Sequence, residues 1–207
     1  MEIPIEQLEK ISQMLMRFGI RNTSMDDIAK ELGVSKKTLY NWFPSKEIMI
    51  EKVIDMMTSY IQNNPHCGEY LEKDSENAID VILNVMTKIG EITSKINPIF
   101  FWELNKYYPV QAKKLNEFRV NKIREKYINN LERGIKEDVY RKNINIEIVT
   151  QLFLIGIKHF DETINDEKLK KYPIDVILKE IYLFNLHAIV NEKGREYLRK
   201  KIKSFEL

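Results

Sequence analysis

The sequence predicts an all-helical protein, on three observations. In 207 residues there are only 7 Gly and 6 Pro, too few for the closely spaced turns of a sandwich or barrel. Apolar side chains recur at steps of three and four along most of the chain, the period of helices that turn one face to a core. Nowhere do apolar and polar residues alternate for long enough to defend a strand. With 43% hydrophobic residues, 10% aromatics and 31% charged, the composition is that of a folded globular chain and excludes collagen, a disulfide scaffold and disorder.

The elements follow in order. Ile5, Leu8, Ile11, Leu15 and Phe18 form the stripe of a first helix, stopped by Gly19. A short second helix lies within Thr23 to Leu32, with a hydroxyl cap and Asp26 and Asp27 in its first turn, where acids suit the helix dipole. Gly33 stops it, and Ser35 caps a third short helix through about Phe43. After Pro44, Ser45 caps a longer helix from Lys46 towards Tyr60. Turn formers cluster at 63–68, which marks a boundary. Beyond it, periodicity predicts helices at about Ala78 to Ile96, Ile99 to Tyr107, a long stretch after Pro109 reaching about Lys136, Ile146 to Phe160 and Ile174 to Val190. A basic tail follows Asn191.

Charge and cysteine usage bound the partners. Lys and Arg number 33 against 31 acids, a formal net charge of +2 that neither demands nor excludes a polyanion. The single Cys67 permits no intrachain disulfide and is too little for a thiolate zinc site. The segment Met1-Glu2-Ile3-Pro4 has no basic and apolar leader, and no apolar run approaches the roughly 20 residues that span a bilayer. The expected location is the cytoplasm, away from membranes. His66 and Cys67 are adjacent and the other histidines distant, so no metal is expected.

The informative stretch is Asp27 to Phe43, two short helices hinged at Gly33, which is helix-turn-helix spacing. Ala29 is small enough for the second helix to approach, Gly33 can take positive φ, and Val34 and Leu39 can close the small core. With Leu39 set inward at 100° per residue, Phe43 also falls near the core, while Lys37 and Asn41 point outward one turn apart. That pair suits base edges in a major groove, since Asn can bond adenine bidentately and Lys can donate to guanine. No acid occurs between Glu31 and Glu47, whereas Lys36, Lys37 and Lys46 all do, a window that fits a polyphosphate partner. Lys46 adds a cation to the first turn of a helix, where a cation is unfavourable unless an anion joins it.

On these residues the chain from 5 to about 55 resembles the DNA-binding domain of the TetR family of bacterial transcriptional regulators. Thr23-Ser24-Met25-Asp26-Asp27-Ile28-Ala29 is similar to the family's second helix, Gly33-Val34-Ser35-Lys36 to its turn, and Thr38-Leu39-Tyr40 with Phe43-Pro44-Ser45-Lys46-Glu47 to the recognition helix and the start of the fourth. The resemblance implies that Tyr40 and Lys46 grip phosphates, that Thr23 or Ser24 touches the backbone, and that Lys36, Lys37 and Asn41 face bases, with Ser35 and Thr38 in the same surface. Lys37 stands where many members carry Gly or Ala, and Asn41-Trp42 where an aromatic or His pair is frequent, which leaves the operator sequence open.

The resemblance also implies a second helical domain that binds a small effector and dimerises through its last long helices. The expected division is 1–55 for the helix-turn-helix domain, with a connecting helix over 46–62 acting as the lever, and 63–207 for the effector and dimer domain. Two segments, Ile148 to Phe160 and Ile174 to Ile189, are apolar over more than one face and need partners on two sides. Leu152, Ile155, His159, Ile177, Ile181 and Phe184 are the expected dimer contacts, and a two-fold dimer would set two recognition helices about one DNA turn apart. The aromatics Phe101, Trp102, Tyr107 and Phe118 are the expected walls of an effector pocket.

The expected function is a repressor released from a pseudo-palindromic operator by a small molecule, with no other cofactor. An enzyme is disfavoured: the sequence has no Gly-rich phosphate loop, no His-Glu-x-x-His and no nucleophile elbow, and no catalytic residue is expected. The alternative is a helical protein-interaction module whose helix-turn-helix no longer reads DNA.

Overall fold

A computed structural model of the chain describes residues 3–63, 75–158, 166–169 and 171–204. The described residues form ten helices, and their only bridge outside them pairs Tyr140 with Val190. They are α1 (Ile5–Phe18), α2 (Met25–Glu31), α3 (Lys36–Trp42), α4 (Lys46–Asn63), α5 (Ala78–Thr93), α6 (Ile99–Tyr107), α7 (Pro109–Lys136), α8 (Ile146–Lys158), α9 (Ile174–Ile189) and α10 (Glu192–Ser204). The all-helical expectation holds. The region after Asn191 is a helix, where the sequence suggests only a basic tail. Its start is held by the Asn191 side chain, which accepts from the Gly194 N–H at 2.9 Å, and Leu198 is its buried anchor.

The helices sort into two compact units. One comprises Met1–Pro65 with Lys95–Phe118, the other His66–Ser94 with Arg119–Leu207. This differs from a division at 63, because residues 95–118 pack with the N-terminal helices. Phe100, Leu104, Ala112 and Leu115 share one buried core with residues of α1 to α4. Periodicity says which face of α6 is apolar and nothing about which core receives it.

In the first unit α1 packs on α4 and on α6, and α2 on α3. Ile11, Leu15, Ile28, Leu39 and Phe43 meet in its centre. The loop after α1 is fixed twice. Gly19 has φ +88°, and a Cβ there would stand 2.9 Å from the Ile99 Cγ2 of α6, so that only glycine fits both the backbone and the contact. The Glu103 carboxylate of α6, itself buried, accepts from the Arg21 backbone N–H at 2.9 Å.

In the second unit α9 lies along α5, over a core that includes Leu131, Tyr140, Phe153 and Leu186. The chain leaving α7 turns through Asp138 at φ +57° and meets the chain leaving α9, with Arg141 N–H donating to Ile189 O at 2.9 Å and Asn191 N–H to Val139 O at 3.1 Å. Tyr140 fills the space against Gly134 and donates its hydroxyl to Asn130 at 3.0 Å. α10 is tied back by the Tyr197 hydroxyl, 2.7 Å from the Asp80 carboxylate of α5.

Candidate functional site

The head of the first unit is built from local caps. Ser24 and Asp27 form a reciprocal capping box at the start of α2, and Ser24's hydroxyl and N–H hold the Asp27 carboxyl below its ordinary pKa. α2 ends at Gly33, φ +66°, with Val34 N–H returning to Ala29 O at 3.0 Å, a left-handed terminus of the kind glycine favours. Ser35 then caps α3 by accepting from the Thr38 N–H at 3.0 Å, and the two hydroxyls lie 2.8 Å apart. Leu39 and Phe43 are fully buried, as the 100° wheel requires. Lys37, Tyr40 and Asn41 are therefore turned out, all exposed, and Lys37 and Asn41 share an outward face one turn apart.

Three of the expected contact residues are engaged within the head. Thr23 is only 2% exposed, and its hydroxyl donates to Gly19 O at 2.8 Å. The left-handed turn leaves that carbonyl without a helical partner, and Thr23 supplies the donor, so its side chain points inward and Ser24 alone keeps a hydroxyl on the surface. Lys46 donates its ammonium to the carbonyls of Ile20 and Thr23. Burial lowers its pKa, while Glu103 and Asp27 pull the other way. Lys36 forms a 2.6 Å ion pair with Asp26, which raises its pKa. The window without acids in sequence is thus not without acids in space: the packing of α2 on α3 returns one. Lys37 has no hydrogen bond or ion pair among the described residues.

The electrostatic signature of α3 survives this. α1, α2 and α4 each begin with an acid in the first turn, whereas α3 begins with Lys36 and Lys37 and has none. Two cations at a helix start are unfavourable for the isolated helix and favourable against a polyanion.

Among the described residues, two cavities of the second unit are lined by none of the expected effector aromatics. Trp102 and Tyr107 are exposed on the first unit, edge to face at 6.0 Å, with the Lys106 ammonium 4.4 Å from the Trp102 ring centre and the Arg21 guanidinium donating to the Tyr107 hydroxyl at 3.0 Å. Phe101 packs on the first core, and Phe118 ends that unit. On so short a helix as α6, Phe100 and Leu104 take the inward face and leave Trp102 outside. A cavity of about 220 Å³ lies instead within the second unit, lined by Val81, Val85 and Ile89 of α5, Ile123 and Tyr127 of α7, and Phe153 and Tyr182 beyond. Aliphatic residues at steps of four on α5, facing Ile123 and Tyr127 on α7, are the signal that an emphasis on the 100–118 aromatics misses.

The expected dimer residues also separate. Leu152, Ile155 and Phe184 are exposed, Leu152 at 63% and Phe184 at 76%, joined by Ile148 and Val176. Ile177 is buried in the second core and Ile181 packs against it, so these two serve the monomer. Both lie on α9, whose inward face is set by its contact with α5. His159, like His66 and Cys67, lies outside the described residues.

Comparison with known proteins matches residues 8–53 to the family model for bacterial regulatory proteins, tetR family. The HTH-type transcriptional regulator YvaF of Bacillus subtilis (strain 168) is 26% identical over 85 residues, which are 41% of this chain and 44% of that protein; the match therefore spans less than half of the relative. A transcriptional regulator from Saccharomonospora viridis solved with choline aligns at TM-score 0.65 and 17% identity, over 90% of this chain and 96% of the other. The regulator FadR from Bacillus subtilis, solved with stearoyl-CoA, aligns at TM-score 0.62 and 16% identity, over 88% and 97%. At these identities the two structures show the shared fold. Residues 8–53 thus match the helix-turn-helix of the tetR family of bacterial regulatory proteins, and the chain shares the fold of solved transcriptional regulators.

Proposed function

We propose that the chain is a sequence-specific DNA-binding transcriptional regulator, a homodimeric repressor released from a pseudo-palindromic operator by a small molecule. The observation that carries this is the outer face of α3, where Lys37, Tyr40 and Asn41 stand exposed on a helix that starts with two cations, in the segment the family model covers. In this reading Asn41 and Lys37 read base edges, Tyr40 reaches a phosphate, and Ser24, Ser35 and Thr38 line the backbone. Lys36 reaches a phosphate by leaving Asp26. Lys46 braces the loop that carries α2 and offers phosphate its field more than its donors.

The exposed apolar row Ile148, Leu152 and Ile155, with Phe184 and Val176, supports self-association through α8 and α9. The cavity of the second unit supports a small-molecule effector, and two proteins of this fold are solved with small ligands. An effector that favours one dimer geometry weakens operator binding, and operator weakens effector binding by the same factor. No helix among the described residues is long and apolar enough to cross a membrane, which is compatible with action in the cytoplasm. The reading requires no catalytic residue, metal or further cofactor.

The test is selection of duplexes from a random pool at near-physiological salt, repeated with Asn41→Ala. The expected result is an enriched pseudo-palindrome whose symmetric positions become degenerate in the variant, at a cost of about 1–3 kcal/mol per contacted position. A folded dimer freed of copurified ligand that enriches nothing overturns the reading in favour of an interaction module. A reporter under the operator that falls when the protein is deleted overturns repression and leaves DNA binding intact.

A further inference from the structure

The cavity of the second unit has a shape and a polarity that together define a ligand. Its α5 wall runs from Val81 to Ile89, about 12 Å along a helix axis, and the facing row on α7 is of similar length. A volume of about 220 Å³ along that distance is a narrow slot. It exceeds the roughly 150 Å³ that admits one benzene ring and falls below the usual range of about 300–1,000 Å³ for pockets that enclose a whole drug-sized ligand. An unbranched chain fits such a slot better than a fused ring system. At its aromatic end Tyr127 stacks on Phe153 at 4.3 Å, and Phe153 meets Tyr182 edge to face at 5.5 Å.

The polar groups of the wall are few. Asn130 is satisfied, donating to Ala78 O at 2.9 Å and accepting from Tyr140. The Tyr127 hydroxyl is buried in a residue only 6% exposed and has no hydrogen-bond partner among the described residues. A buried hydroxyl left in that state costs free energy that a ligand oxygen would recover. Burial also raises its pKa, so it remains an O–H donor. Among the described residues, the charged side chains in the wall are Lys122 and Lys126, one turn apart on α7, and no acid accompanies them in the lining. Lys122 rests on Glu125 at 3.2 Å in a solvent-exposed pair of small strength, easily exchanged for a ligand.

We propose that this cavity takes the hydrocarbon chain of an acyl compound, whose carbonyl or carboxylate oxygen accepts from the Tyr127 hydroxyl and whose anionic end is held by Lys122 and Lys126. The proposal rests on the effector reading above and names its ligand class. A cationic amphiphile is disfavoured by the same two lysines. The acyl group has two sources, a free fatty carboxylate and a thioester of a phosphorylated carrier, which share the chain, the acceptor oxygen and the negative charge.

The test uses the full-length protein freed of copurified lipid, titrated calorimetrically with dodecanoate, dodecanoyl-coenzyme A, dodecanol and dodecyltrimethylammonium, all below their micelle thresholds. One or both acyl probes are expected to bind at one site per chain, at least tenfold tighter than the trimethylammonium compound, and the tighter of the two identifies the source. Tyr127→Phe, which removes only the unpartnered hydroxyl and keeps or raises the melting temperature of the unliganded protein, weakens the acyl probe about tenfold. Lys122→Ala with Lys126→Ala weakens it similarly while sparing dodecanol. Equal affinity for the cation, or acyl affinity unchanged in both variants, overturns the proposal. If neither acyl probe binds while an operator is still selected, the ligand class alone fails. If an acyl probe binds without changing operator affinity, the ligand class stands and the effector reading fails.

Discussion

The two units share local caps and differ in how much long-range bonding they add, the first tying its loop after α1 to Glu103 and Lys46. In the first, capping bonds span three or four residues: Ser24 with Asp27, Ser35 with Thr38, Ser45 with the Ile48 N–H, Thr23 with Gly19. The second has such caps too, Asn77 on α5, Asn145 on α8 and Asn191 on α10, and adds bonds between distant parts of the chain. The Ala78 N–H donates to Glu137 at 2.8 Å, Asn130 to the Ala78 carbonyl, and Tyr197 to Asp80. Local closure makes a head whose geometry is written in a short run of residues and whose outer face is free to meet a partner. Closure at long range makes a body in which the same helices can enclose a cavity, at positions no short motif reports.

The largest effect that would sharpen this comparison is on assembly. Leu152→Glu with Phe184→Glu, both exposed in the chain alone, is expected to give a monomer in sedimentation while thermal unfolding stays cooperative. Operator affinity should then fall about a hundredfold or more, through loss of the second half-site contact. A double variant that remains dimeric would show that self-association uses another face.

Next in size is a pair of glycine substitutions, one in each unit. At Gly134 an added Cβ would stand 2.1 Å from the Tyr140 ring, which is buried and bonded to Asn130, so Gly134→Ala should cost about 3 kcal/mol or more. At Gly33 there is open space, and only the φ of +66° opposes a side chain. Gly33→Ala should cost about 1–2 kcal/mol. Urea midpoints measure both, and equal costs would break the distinction between local and long-range closure.

The smallest effect is at the ion pair of the head. Asp26→Asn frees Lys36 from an exposed partner, with little change in stability. If Lys36 reaches phosphate, non-specific DNA binding strengthens a few-fold, and the slope of log affinity against log salt steepens by up to about one. An unchanged slope would leave Lys36 as a brace between α2 and α3.

Legibility in the sequence followed the same division. α1 and α6 have the boundaries their periodicity and prolines indicate, α7 ends where its periodicity does, and the inward direction of Leu39 and Phe43 follows from helical geometry alone. Resemblance turns Thr23 or Ser24, and Lys46, towards DNA, yet Thr23 and Lys46 each meet a carbonyl of the loop after α1. Residue type shows that a hydroxyl or an ammonium can serve phosphate, and only the fold shows that an unpaired carbonyl lies closer. Ile177 and Phe184 sit on one helix with equally apolar side chains, and contact with α5 decides that the first is core and the second is surface.

Residue type and spacing suffice for the helical class, the caps and hinge of the head, and the outward pair on α3. Those features depend on contacts within one or two helical turns, where residue type and spacing set the outcome. The tertiary structure alone decided that residues 95–118 join the head, that Asp26 returns to Lys36, and that the cavity opens among Val81, Ile123 and Tyr127. Each requires groups far apart in the chain to meet, and an apolar face or a charge specifies what it needs without specifying which distant partner supplies it.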